Sequence, residues 1–231
     1  MAKQLVLGSP IDKLLDRLYA QSAGQSEELM SYFSARAQAG DIDWNAFDER
    51  TNHFLSDKLV ALDRNKAEFC YQVCRALRAK RVVEAGTSFG VSTLFLAAAV
   101  RDNAGVDGGE GIVIATEYES QKAEAARANF AEAGLSEFIE LREGDLRTTL
   151  VDVAGPIDFM LIDIWTPMAR PALELVAPRL REGAVVIADN TEQFREQYGD
   201  YFEFVNDPSN KLRTMTLPFE GGLEFTVRCA K

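Results

Sequence analysis

Along the chain the apolar positions change period near residue 80. Before it, Leu14, Leu15 and Leu18, then Leu29, Met30, Phe33 and Ala37, recur at three- and four-residue intervals. Phe47, Phe54, Leu55, Leu59 and Leu62 continue the same stripe, which predicts three or four amphipathic helices. Breaks fall at Gly8-Ser9-Pro10, around Gly24 and at Ala39-Gly40-Asp41, and a further helix is predicted from Asn65 to Leu77. From Arg81 onward, short apolar runs alternate with helical patterns, the sign of βα units that build a parallel sheet. The runs are Val82 to Ala85, Gly111 to Thr116, Phe138 to Leu141, Ile157 to Ile162 and Ala184 to Ala188. Helices are expected at Val91 to Val100, Gln121 to Ala133, Leu146 to Val153 and Pro167 to Leu180, with Asn103 to Gly111 as a surface loop. Beyond Asp189, Tyr201 to Asn206 and Leu223 to Cys229 read as two strands of an antiparallel edge hairpin.

Charge narrows the partners. The 231 residues carry 25 Lys and Arg against 36 Asp and Glu, a net charge of −11, so nucleic acid and anionic membrane surfaces are repelled by the average field. The N-terminal segment has too short an apolar stretch for a secretory signal, and no run of 18 apolar residues occurs. Three cysteines, Cys70, Cys74 and Cys229, suit a reducing compartment, and the expectation is a cytoplasmic protein. Cys70 and Cys74 share a helical stripe with Phe69, Val73 and Leu77 and read as core.

In an open parallel sheet, ligands bind beyond the carboxyl ends of the strands, so the residues that follow each run are the ones to read. The first is followed by Gly86-Thr-Ser-Phe-Gly90-Val-Ser92: Gly86 permits a tight turn and Gly90 opens a helix whose free N–H groups face the ligand. Position 88 is Ser, so the G-x-G-x-x-G of a dinucleotide site is absent. Glu117 follows the second run, where a carboxylate accepts the hydroxyls of a ribose or simply starts a solvated helix. Tyr118 could pack on an adenine face. Asp145, after the third run, either receives an adenine amine or caps a helix. Asp163 after the fourth run, and Asp189 and Asn190 after the fifth, bring three oxygen-bearing side chains to one rim, a hard-ligand set suited to Mg²⁺, Ca²⁺ or Mn²⁺.

These segments, VVEAGTSFGVST, IATEYES, DFMLIDIW and LREGAVVIADN, resemble those of class I S-adenosylmethionine-dependent methyltransferases, and within them the metal-dependent catechol-type O-methyltransferases. The resemblance covers residues 66–231 and implies a Rossmann-like α/β fold: a seven-stranded, mostly parallel sheet with an antiparallel edge hairpin, preceded by a helical segment 1–65 that roofs the site or makes a dimer contact. It implies that Glu84, Gly86, Gly90 and Ser92 serve the methionine end of the cofactor. Glu117 would hold the ribose, Tyr118 and Asp145 the adenine, and Asp163 and Trp165 would lie near cofactor or substrate. Asp163, Asp189 and Asn190 would hold a divalent metal, Mg²⁺ foremost, with Asp163 also catalytic. The chain departs from the family at Thr166, where a basic lysine often stands, and His53, the sole histidine, is a candidate base. The implied reaction is methylation of a hydroxyl on a small molecule with vicinal oxygens. Metal-independent N- or O-methylation, or a non-catalytic partner subunit with the same fold, are the alternatives.

Overall fold

The computed structural model describes residues 7–42 and 48–230. Phe47, assigned above to the N-terminal apolar stripe, lies outside them. Seven strands form one sheet: β1 (Arg81–Ala85), β2 (Ile112–Glu117), β3 (Ile139–Glu143), β4 (Ile157–Ile162), β5 (Leu180–Asp189), β6 (Leu212–Leu217) and β7 (Leu223–Arg228). Their order is β3-β2-β1-β4-β5-β7-β6, with β1 to β5 parallel and β7 antiparallel to both its neighbours. The order reverses between β1 and β4, which opens a crevice at their carboxyl ends.

The helices are α1 (Ser9–Gly24), α2 (Ser26–Ala39), α3 (Glu49–Leu55), α4 (Arg64–Ala76), α5 (Val91–Asp107), α6 (Ser120–Glu132), α7 (Leu146–Thr149), α8 (Ala169–Val176) and α9 (Gly199–Asn206). Alternate strand residues feed two cores. Val82, Leu161 and Ile187 pack with α1, α4, α5 and α6 on one face, while Val83, Met160 and Val186 pack with α7, α8 and α9 on the other. Covering both faces explains why the central strands read as unbroken apolar runs. Arg17 pairs with Glu132 at 2.6 Å and the Tyr19 hydroxyl donates to the Leu62 carbonyl at 3.0 Å, tying α1 to α6 and to the segment before α4.

Four expectations fail. Tyr201 to Asn206 is not a strand but lies in α9: Tyr201 and Val205 are buried one helical turn apart, a spacing that suits a helix better than a strand. The partner of the last strand is instead Leu212–Leu217, whose polar alternation reflects a sheet edge, with the Thr216 hydroxyl donating to Glu224 at 2.6 Å. Likewise the expected loop at 103–111 is helical through Asp107, because the buried Asn103 amide donates to the carbonyls of Cys74 at 3.1 Å and Ala79 at 2.8 Å. The helix expected from Leu146 to Val153 is the single turn α7, and Phe138 ends a 3₁₀ turn rather than starting β3. Among the described residues no helix is long and apolar enough to cross a membrane.

Candidate active site

The turn from β1 into α5 is built around two glycines with positive φ, Gly86 at +94° and Gly90 at +85°. A Cβ on Gly86 would overlap the Asp163 carbonyl oxygen and lie 2.9 Å from its carbon; one on Gly90 would meet the Phe130 ring, 2.8 Å from Cζ. Glycine is therefore required at both positions by conformation and by contact. Beneath the turn, the fully buried Glu84 carboxylate accepts hydrogen bonds from Thr87 Oγ1 at 3.1 Å, from Ser92 Oγ at 2.7 Å and from Thr93 Oγ1. Glu84 thus braces the turn from below, and the Ser92 hydroxyl spends its proton on Glu84 while its residue faces the cavity.

Burial pushes the Glu84 carboxyl up to about 7, against the three hydroxyl donors, which favour the charged form. A raised carboxyl pKa contributes nothing to the pH dependence of stability well below 4.5, where both states are protonated. Stability then falls as pH rises through the window from about 4.5 to 7. The loss between pH 5 and pH 8 should be about 2–3 kcal/mol. Urea unfolding at the two pH values should show that loss in the wild type relative to Glu84→Gln, which cannot titrate; parallel pH profiles would contradict it.

At the tip of β2, Glu117 is 9% exposed, and its carboxylate is aimed by two main-chain donors: Ser88 N–H at 2.6 Å and Glu119 N–H at 2.9 Å. The first bond links the β1 turn to the β2 tip. Lys122, on α6, lines the same wall; burial lowers its pKa, against the raising charges of Glu117 and Glu119. Tyr118 is 69% exposed at the outer edge. Asp145 is the N-cap of α7, accepting from Arg147 N–H at 2.8 Å and pairing with its guanidinium, which holds its carboxyl below the usual range; it also lines the cavity.

The β4 and β5 tips meet α4 from the other side. Ile162 and Ala188 are register partners, so Asp163 and Asp189 stand side by side at the rim. Lys66, 1% exposed on the buried stripe of α4 with Cys70 and Cys74, places Nζ 2.7 Å from Asp189 Oδ1 and 3.1 Å from Asp63 Oδ2. The second Asp189 oxygen accepts from the Asn190 amide at 3.0 Å. Asn190 has φ +57°, and its Oδ1 lies against the Gly221 backbone, where a Cβ would collide with it. Burial alone would lower the Lys66 pKa, but the Asp189 hydrogen bond and charge more than reverse it, leaving it above the ordinary lysine value. Asp163 is held well above the usual carboxylate range, by burial first and then by Asp189 and Glu84.

The expected convergent metal set is thereby corrected. Both Asp189 oxygens are engaged, the Asn190 amide presents its nitrogen to Asp189, and a buried ammonium already stands against the carboxylate. Among the described residues no group of three His, Cys, Asp or Glu side chains is placed to hold a metal ion. The residues present do not fit a divalent cation.

The cavity over these tips has a volume of about 660 Å³ and joins a second lobe of about 400 Å³ through shared walls at Gly86, Glu117, Lys122 and Trp165. Asp163 and Asp189 line the larger lobe together with Phe33, Leu55 and Val60, while Tyr118 and Asp145 line the smaller. His53 lies on α3 and lines neither lobe, so the expected base is not positioned there. Lys66 and Lys122 are site residues that sequence reasoning missed. The signal for Lys66 was a charged residue in i, i+4, i+8 register with Cys70 and Cys74, where an apolar side chain is expected.

Residues 83–191 match the sequence family described as a methyltransferase domain. The chain is similar in this segment to known methyltransferases. It is 32% identical over 132 residues to the catechol O-methyltransferase of Mycobacterium tuberculosis (strain H37Rv), a match spanning 57% of this chain and 57% of that relative. The chain therefore matches little more than half the length of that relative. Two solved structures share the fold. Cofactor-bound Rv0187 from MTB superimposes with a TM-score of 0.67 at 22% identity, over 87% of this chain and 97% of that one. The O-methyltransferase TomG from Streptomyces achromogenes, in complex with SAM, gives 0.67 at 20% identity over 78% and 86%.

Proposed function

We propose that the protein transfers the methyl group of S-adenosylmethionine to a hydroxyl oxygen of a small, largely apolar acceptor. The observation that carries this reading is the pairing of the Gly86 turn with the Glu117 carboxylate, locked by the Ser88 N–H bond, at the floor of a cavity continuous with the Asp163 rim. In this reading Glu117 accepts the ribose hydroxyls, and the turn from Gly86 to Ser92 backs the methionine end. Tyr118 and Asp145 flank the adenine in the smaller lobe, and Trp165 closes the wall between the lobes. The acceptor lies under Phe33, Leu55 and Val60, in the segment 1–65 that we take as the roof, and an aromatic ring with one or two hydroxyls suits those apolar walls.

The transfer makes an oxygen–methyl bond, breaks the sulfur–methyl bond and turns the sulfonium into the neutral thioether of S-adenosylhomocysteine; the acceptor hydroxyl gives up its proton. Alignment supplies most of the rate. Asp163 is the titratable group assigned to that proton, its affinity raised by burial. No step is routed through a divalent ion, because the donor set does not fit one.

Incubation with methyl-labelled S-adenosylmethionine and a panel of catechols, flavonoids and simple phenols should give labelled methyl ether and S-adenosylhomocysteine. By calorimetry, Glu117→Ala should weaken cofactor binding by about 1–3 kcal/mol through lost charged hydrogen bonds. Tight cofactor binding without transfer to any acceptor would leave a binding role instead, and an unchanged dissociation constant in Glu117→Ala would remove the ribose assignment.

A further inference from the structure

We propose that the buried Lys66 ammonium takes the place of a divalent cation at the rim of the cavity, as a fixed internal charge that neutralises and positions Asp189 and makes methyl transfer independent of bound metal. The inference rests on the methyltransferase reading above for its catalytic arm but not for its binding arm. Its basis is geometric. Lys66 reaches Asp189 Oδ1 at 2.7 Å from α4, with Asp63 on its far side at 3.1 Å, so one cation is shared by two carboxylates. Asp189 Oδ2 is occupied by the Asn190 amide, and the Asn190 carbonyl oxygen, the atom a metal would take, is turned to the Gly221 backbone. Among the described residues the Asp163 carboxylate makes no such bond, and a dication entering beside it would stand within a few ångströms of a buried positive charge. Beside so deeply buried an ammonium that repulsion is large. Lys66 itself is walled off behind Asp189 and does not line the cavity, so it is a positioning residue that acts through Asp189. The chain thus supplies by folding a charge that a metal-dependent enzyme would draw from solution. Burial raises the Asp189 carboxyl above the usual carboxylate range and the Lys66 ammonium opposes that rise, while the 2.7 Å contact holds Asp189 beside Asp163 at the rim.

The test is a Mn²⁺ titration followed by electron paramagnetic resonance, with S-adenosylhomocysteine present and absent. The wild type should show no saturable Mn²⁺ binding at millimolar concentration, and Lys66→Met should gain a saturable site at least about tenfold tighter, while Lys66→Arg, which keeps the charge, should exclude the ion as the wild type does. Saturable Mn²⁺ binding by the wild type, displaced by Mg²⁺, overturns the proposal without any variant having to fold. A well-folded Lys66→Met that gains no site overturns it equally. On any acceptor that turns over, chelator should leave the wild-type rate unchanged, and loss of turnover restored by Mg²⁺ would contradict the inference. If no acceptor is methylated, the Mn²⁺ arms still decide the role of Lys66, so failure of the functional reading and failure of this inference remain distinguishable.

Discussion

Gly86→Ala should lower the melting temperature by roughly 6–20 °C, equivalent to about 3–5 kcal/mol in a chain of this size, and should reduce S-adenosylmethionine affinity at least about tenfold. Two penalties combine. The backbone at φ +94° is one that an alanine adopts only with strain, worth about 1–3 kcal/mol. The added methyl group also overlaps the Asp163 carbonyl, a backbone atom that no side-chain rotation can move aside. Relief requires β1 and β4 to separate where Asp163 N–H donates to the Ala85 carbonyl at 3.0 Å, and overpacking of that kind adds about 1–3 kcal/mol. Gly134→Ala separates the two penalties: Gly134 has φ +67° and nothing within 4 Å of the place its methyl group would occupy, so only the conformational part remains. That control should lose about 1 kcal/mol and bind cofactor normally. Equal melting temperatures for the two variants would show that the contact with Asp163 is not what demands glycine.

The same contact shows why part of this site was legible in the sequence. Gly86, Glu117, Asp163 and Asp189 each follow directly on an apolar run, and parallel strands deliver their carboxyl ends to one edge whatever their separation in the chain. Strand positions were legible for a similar reason, since burial on both faces leaves a continuous apolar signature in β1, β2, β4 and β5. Where the sheet meets solvent that signature fails. In β6 the side chains of Thr214 and Thr216 satisfy Glu224, so the strand reads as polar, and the neighbouring helix α9 with its aromatic residues looked more strand-like. The partnership of Lys66 with Asp189 was beyond any local pattern. It joins α4 to the end of β5 across more than half the chain, and sequence spacing carries no trace of which carboxylate a buried lysine will find. The metal expectation failed on that account: the three oxygen-bearing residues were placed at the right rim, and the cation that engages one of them arrives from the opposite side of the sheet edge.

That cation leads to the second large effect. Asp189→Ala should destabilise the protein by about 3–5 kcal/mol, because it strands an ammonium that is 1% exposed. Asp63 remains within 3.1 Å of Lys66, but its side chain is 53% exposed, and a pair with so solvated a partner contributes only about 0–1 kcal/mol. The loss should therefore stand nearly in full. Since the damage comes from an uncompensated charge rather than from a missing contact, a second substitution that removes the charge should repair it. Lys66→Met in the Asp189→Ala background should recover most of the stability, and the double-mutant cycle by urea unfolding should give a coupling of about 2–3 kcal/mol between the two residues. Additive losses would mean that Lys66 and Asp189 do not sense one another in the folded protein, and the ammonium would then have no hold on the rim of the cavity.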